Sequence, residues 1–216
     1  MIINLGEQRS IANVFLQELR DKAIQQDRAR FRRNMERLGE IMAYEVSRKL
    51  AYAKAGVETV LGTAPMMLPM EQPVLVTVLR AGLPYFQGFL NYFDRSDCGF
   101  IGAYREEGKP EISIKLDYQT APVLKGRTLI LIDPMLATGK SLVRAVHSLT
   151  DFYGEVPDHI HLASLIATPE GIRHVQEQVT LPHTIWTFSI DEKLDSKFYI
   201  VPGLGDAGDL SYGNKV

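Results

Sequence analysis

From residue 73 onward, short apolar runs alternate with stretches of helical periodicity, and this alternation limits what the chain can fold into more than any other feature. Parallel strands need a crossover between them, and the crossover is normally a helix. The runs that read as strands are Val74 to Leu79, Gly99 to Tyr104, Thr128 to Ile132, His161 to Ala167 and Thr184 to Phe188. Near-continuous Val, Ile and Leu content is that of strands covered on both faces. The expectation is an α/β fold with a mainly parallel central sheet flanked by helices. Between 105 and 122, Ile112, Ile114 and Leu116 alternate with Ser113, Lys115 and Asp117, which predicts a β-hairpin arm with one exposed face.

The N-terminal quarter has a different texture. Ile11, Val14, Phe15 and Leu19 recur at helical spacing, as do Leu38, Ile41, Met42, Glu45 and Val46, so residues 10 to 55 read as two amphipathic helices. Arg28, Arg30, Arg32, Arg33 and Arg37 lie among acids and read as a solvated helix face. A chain of 216 residues can bury one good core. We therefore expect one domain, 1–216, with an N-terminal helical region (1–60), a core (73–190) and a closing segment (191–216).

Charge and cysteine content narrow the partners. A formal net charge of -2 provides no basic field for nucleic acid, which points to a small-molecule partner. The single cysteine, Cys98, cannot form an internal disulfide, and no apolar run is long enough to span a membrane. A cytoplasmic protein with neither nucleic-acid nor membrane partners is expected.

Ligands of open α/β sheets bind beyond the carboxyl ends of the strands, and three stretches fall there. In IDPMLATGKS (Ile132 to Ser141) the ending imitates a nucleotide-triphosphatase phosphate loop, but the first glycine of that motif would stand at Pro134. The segment still offers small residues, the hydroxyls of Thr138 and Ser141 and a helix N-terminus to a phosphate. An ordinary strand-to-helix turn capped by Thr138 or Ser141 is the plainer reading. In TVLRAGLP (Thr77 to Pro84) a strand runs into Arg80, whose guanidinium must find either a ligand anion or an acid elsewhere in the chain. YIVPGLGDAGD (Tyr199 to Asp209) is a glycine-rich loop that suits close backbone approach to a flat ligand, or else a flexible tail. His147, His159, His161, His174 and His183 show no metal-ligand spacing.

Four stretches resemble the uracil phosphoribosyltransferases: VLRAGL (Val78 to Leu83), YRE (Tyr104 to Glu106), DPMLATG followed by Ser141, and DEKLDSKFYIVPGLGDAGD (Asp191 to Asp209). The resemblance implies the type I phosphoribosyltransferase fold and transfer of a phosphoribosyl group from 5-phosphoribosyl-1-diphosphate (PRPP) to uracil, giving UMP and diphosphate, with magnesium. It implies that Arg80, Arg105 and Asp206 are catalytic. PRPP would be bound by these three with Asp133, Pro134, Met135, Leu136, Ala137, Thr138, Gly139, Lys140 and Ser141. Uracil would be bound by Ile200, Gly205, Asp206 and Ala207. A homodimer or higher homo-oligomer is implied, and a GTP effector is possible because family members differ in that respect. No residue is assigned to the metal.

The chain departs from the family pattern twice. Lys140 stands where Gly is usual, which is harmless unless its φ is positive, and Leu210 stands where Arg is usual. Two other readings compete: a phosphoribosyltransferase-like, nucleotide-sensing RNA-binding regulator with weak catalysis, and a phosphate-loop kinase resting on Gly139-Lys140-Ser141 alone.

Overall fold

The apolar runs beyond residue 73 assemble into one layered sheet. The computed structural model describes residues 1–105, 114–153 and 156–214, with side chains excepted at 103–105, 114–117, 152 and 153. Along the chain, β1 (Ile2–Asn4) leads through a 3-10 turn (Leu5–Glu7) to α1 (Ala12–Arg20) and α2 (Arg28–Ser47). There follow β2 (Tyr52–Thr59), β3 (Gly62–Pro69), β4 (Val74–Leu79), α3 (Leu83–Tyr92), β5 (Cys98–Arg105), β6 (Ile114–Thr120) and β7 (Thr128–Ile132). Next come β8 (Met135–Leu136), α4 (Lys140–Tyr153), β9 (His159–Ala163), β10 (Ile166–Ala167), α5 (Pro169–Gln178) and β11 (His183–Thr187). The closing segment holds β12 (Ser189–Ile190), β13 (Lys193–Leu194), β14 (Ile200–Val201) and α6 (Ala207–Tyr212).

The main sheet has the order β1-β11-β9-β7-β4-β5-β6. Every pairing in it is parallel except β5 with β6. The chain leaves β4 toward β5, then returns across it to β7. The direction of winding thus reverses between β4 and β7, and the crevice at their carboxyl ends is the switch point. A strand covered on both faces sends alternate side chains to opposite cores. Leu75, Ile130 and Ile132 join Leu19, Met35, Leu38, Tyr85 and Phe89 of the α1–α3 layer, while Val74, Val76, Leu129 and Leu131 join Leu142, Val146, Leu149 and Val175 of the α4–α5 layer. Helices α2 and α3 touch backbone to backbone: a Cβ at Gly39 would lie 2.2 Å from Tyr85 O, and one at Gly88 would lie 2.1 Å from Glu36 O.

Three expectations need correction. The N-terminal region is helical only to Ser47, and residues 52–69 form the antiparallel hairpin β2–β3. Both of its faces are largely exposed, so no alternation of apolar and polar residues marks it in the sequence. The arm expected between 105 and 122 is in part an edge strand, since β6 pairs with β5 inside the main sheet; Ile112 and Ser113 lie outside the described residues. The run His161 to Ala167 divides into β9 and β10, because Leu165 and Ile166 donate their N–H groups to Pro134 O at 2.9 and 3.3 Å instead of continuing the ladder.

His161, in β9, is 3% exposed, and its Nδ1 accepts the Trp186 indole N–H at 3.1 Å. Burial, and secondarily the nearby His159, lower its pKa to about 3. The unfolded chain takes up this proton near pH 6.5, the folded one only near pH 3. The stability is therefore full above pH 6.5 and falls toward pH 3, with a slope of about 1.4 kcal/mol per pH unit. Thermal midpoints measured between pH 7 and 5 should fall, and His161→Asn, which keeps an acceptor for the indole, should remove that part of the decline.

Candidate active site

The carboxyl ends of β4 and β7 are fixed side by side by the pairing of Thr77 with Ile132, and the Thr77 hydroxyl also donates to Ile132 O at 3.1 Å. Each strand then delivers one candidate loop to the same crevice.

After β4 comes Arg80, joined to Leu79 by a cis peptide. Its Nη2 donates to Asp209 Oδ1 at 2.6 Å and to Gly213 O at 2.9 Å. The ion pair is about one-third exposed on each side, so solvent screens it. The Nε, by contrast, is buried and has no hydrogen-bond partner among the described residues. Such a donor is costly to leave unmet. Asp206 caps α6, accepting the Asp209 N–H at 2.9 Å. A side chain at Gly208 would come within 3.2 Å of Asp206 Oδ1 and 3.5 Å of Arg80 Nε, so that glycine leaves open a small space bordered by both groups.

After β7 the stretch Asp133 to Ser141 divides. Asp133 is buried at 9% exposure and accepts the Met135 N–H at 3.3 Å. Met135 and Leu136 form β8, paired in parallel with β10. Leu136 O accepts the Thr168 N–H at 3.0 Å, and Ala137 O accepts the Thr168 hydroxyl at 2.7 Å. Pro134 and Leu136 are buried, so this half is built into the fold and leaves no phosphate loop in the kinase register. In the second half Ala137, Thr138 and Ser141 are half-buried and Gly139 is buried. Gly139 has φ +77, and a Cβ there would lie 2.7 Å from Gly171 O. Lys140 opens α4 and is exposed. The left-handed position is thus Gly139, and the side chain at Lys140 is unstrained. The Lys140 N–H at the start of α4 donates to the Thr138 hydroxyl at 3.4 Å, the capping contact of an ordinary strand-to-helix turn.

The closing segment brings the base-binding candidates to the same edge. Ile200, in β14, is 7% exposed, and Ala207 is fully buried at the start of α6. Gly205 has φ +86, with Leu210 Cδ1 3.4 Å from where its Cβ would be. Leu210 therefore packs over the loop where the family pattern has a charged side chain. A pocket of about 290 Å³ lies here, bordered by Gly205, Asp206, Asp209 and Leu210 and, from the N-terminal region, by Gln25 and Arg28. Neither residue carries a motif: Gln25 gives no signal in the sequence, and Arg28, expected on a solvated helix face, borders the pocket instead. The basic cluster is only in part a solvated face: Arg30 pairs with Glu18 and Arg33 with Glu36, but Arg32 donates to Ser211 O at 2.7 Å. Arg105 ends β5, and its side chain, like Glu106, lies outside the described residues.

The family model for uracil phosphoribosyltransferase matches residues 7–214. A uracil phosphoribosyltransferase of Porphyromonas gingivalis is 45% identical over 216 residues, covering 100% of this chain and 99% of that protein. One from Sulfolobus acidocaldarius is 35% identical over 209 residues, covering 92% and 94%. A solved structure of a protein from Aquifex aeolicus superposes with a TM-score of 0.88 at 29% identity, covering 100% of both chains.

Gly139→Ala should destabilise the protein by about 1–2 kcal/mol, the cost of a left-handed non-glycine residue, with further loss from the clash against Gly171. Lys140→Ala should leave the thermal midpoint nearly unchanged. Denaturant unfolding of the two variants checks the pair.

Proposed function

We infer from membership of the uracil phosphoribosyltransferase family, to which the chain belongs, that the crevice between β4 and β7 is where PRPP and uracil react. The activity is transfer of the phosphoribosyl group to uracil, giving UMP and diphosphate. The observation that supports the location is the meeting of Arg80, Asp206 and the Asp133–Ser141 segment at one switch point.

Breaking the anomeric bond spreads positive charge over the ribose ring and leaves negative charge on diphosphate, so no nucleophilic side chain is required. Fixed charges and backbone donors suffice if they are aimed beforehand. In this reading Arg80 faces the departing diphosphate, held in place by Asp209 and Gly213 while its buried Nε waits for an acceptor. Ala137 to Ser141, with the first turn of α4, receive the 5-phosphate, and Lys140 adds attraction from the helix mouth. Asp133 accepts ribose hydroxyls. Ile200 and Gly205 to Ala207 frame uracil, and Arg105 joins Arg80 on the diphosphate.

Among the described residues no three acidic, histidine or cysteine side chains gather as a ready-made metal site. Mg²⁺ usually sits on substrate phosphates with one or two carboxylates; here Asp133 and Asp206 would serve. When bound it would neutralise diphosphate charge. A cytoplasmic location is in keeping with the chain's one cysteine.

A second copy of the chain is also proposed, seated on the β2–β3 hairpin. Val60 and Leu61 at its tip are 99% and 98% exposed, and Met66, Met67, Leu68 and Met70, toward its base, are exposed as well. Apolar area of this kind on a two-stranded hairpin favours a partner.

Purified protein given PRPP, magnesium and uracil should yield UMP. Arg80→Ala should lower turnover by about two orders of magnitude; unchanged turnover in a folded variant would remove Arg80 from that role. Light scattering should give at least the dimer mass for the native chain and the monomer mass for Leu61→Asp. A monomeric native chain would end the hairpin proposal.

A further inference from the structure

We propose that Arg20, on the N-terminal helix, is the positioning residue of the base site: it holds the 200–207 segment in the shape that receives uracil without touching substrate. This rests on the reading that Ile200 and Gly205 to Ala207 frame the base.

The segment cannot hold itself. Its strands β13 and β14 are two residues each, Phe198, Gly203 and Gly205 have φ of 63, 60 and 86, and Pro202 has no N–H to give. Local pairing of that length is too weak to fix a loop. What fixes it comes from α1. Arg20 grips Asp191 with both nitrogens, at 2.7 and 2.8 Å, and Nη1 also donates to Gly203 O at 3.1 Å. Asp191, 4% exposed, accepts the Gly203 N–H at 2.9 Å and the Ser189 hydroxyl at 2.7 Å. The Arg20–Asp191 pair thus takes both backbone groups of Gly203, two residues before Gly205. Burial alone would raise the Asp191 carboxyl, but the Arg20 and Ser189 hydrogen bonds outweigh it and hold it below the usual carboxylate range. One residue further along, Leu204 O accepts the Gln25 amide in the orientation that satisfies both ends of that side chain, at 3.0 Å.

Arginine is needed because its fork serves two carboxylate oxygens and a carbonyl at once; lysine is a point charge that keeps the attraction but not the geometry. Apart from Asp206, the PRPP contacts arise from other elements, the β4 and β7 loops and the end of β5, so loss of the fork should act on uracil first.

The test is steady-state kinetics with each substrate varied in turn. Arg20→Lys should raise the KM for uracil about tenfold, the effect of roughly one charge-assisted hydrogen bond, while the KM for PRPP shifts less than about twofold. Arg20→Ala should go further in the same direction, and where it is too unstable to assay, Arg20→Lys decides. An unchanged uracil KM in Arg20→Lys, equal rises in both KM values, or a lowered thermal midpoint with native kinetics would each overturn the proposal. Native protein that makes no UMP would instead overturn the reading of the base site.

Discussion

The pairing of β4 with β7 is the contact on which the remaining structure depends. It joins strands that sit on opposite sides of the reversal in winding, and the match of Thr77 to Ile132 sets how far each projects into the crevice. A slip of one residue would turn every side chain to the other face. It would exchange Leu75 for Val74 and Ile130 for Leu129 between two differently shaped cores. The same slip would part Arg80 from Asp133 along the crevice. Burial on both faces therefore guards the geometry of the site, although no site residue takes part in it.

Around this frame, charge is placed where it stays usable. Arg80 is tied to Asp209 at a partly open position, so the guanidinium is aimed without being sealed away. A fully buried pair would leave its cation committed to the protein, with desolvation opposing any rearrangement. Asp133 and Asp206 are each occupied by a backbone N–H, which fixes one carboxylate oxygen and its plane. Fixed dipoles and charges need not reorganise when a reaction separates charge, and that is their advantage over water.

The sheet was legible because strands covered on both faces announce themselves by composition. Val74 to Leu79 and Thr128 to Ile132 were read to the residue, since apolar content and flanking turn signals coincide there. The β2–β3 hairpin was not legible, because it faces solvent on both sides and its two prolines, Pro65 and Pro69, argue against a strand. In the site, motif spacing located the three loops but not the division at Leu136, where parallel pairing with Ala167 absorbs half of an apparent binding loop. The plain and the ligand-seeking readings of Arg80 proved compatible: it has an acid partner, and it has a donor to spare. Gln25 was invisible and Arg28 reads as solvated helix face, since nothing before or at the start of α2 signals a border with a pocket assembled from the other end of the chain.

The Arg20–Asp191 pair bears on how the protein comes into being. Arg20 and Asp191 are separated by 171 positions, so the loop between them must close before either meets its partner. Contacts of such long sequence separation tend to form late, because the entropy of closure precedes any reward. On a ribosome, the α1 helix would wait through most of synthesis for the strand end it grips. Affinity for the flat base would then report that the whole chain has folded, whereas a phosphate loop built from Asp133 to Gly171 needs only the middle of it.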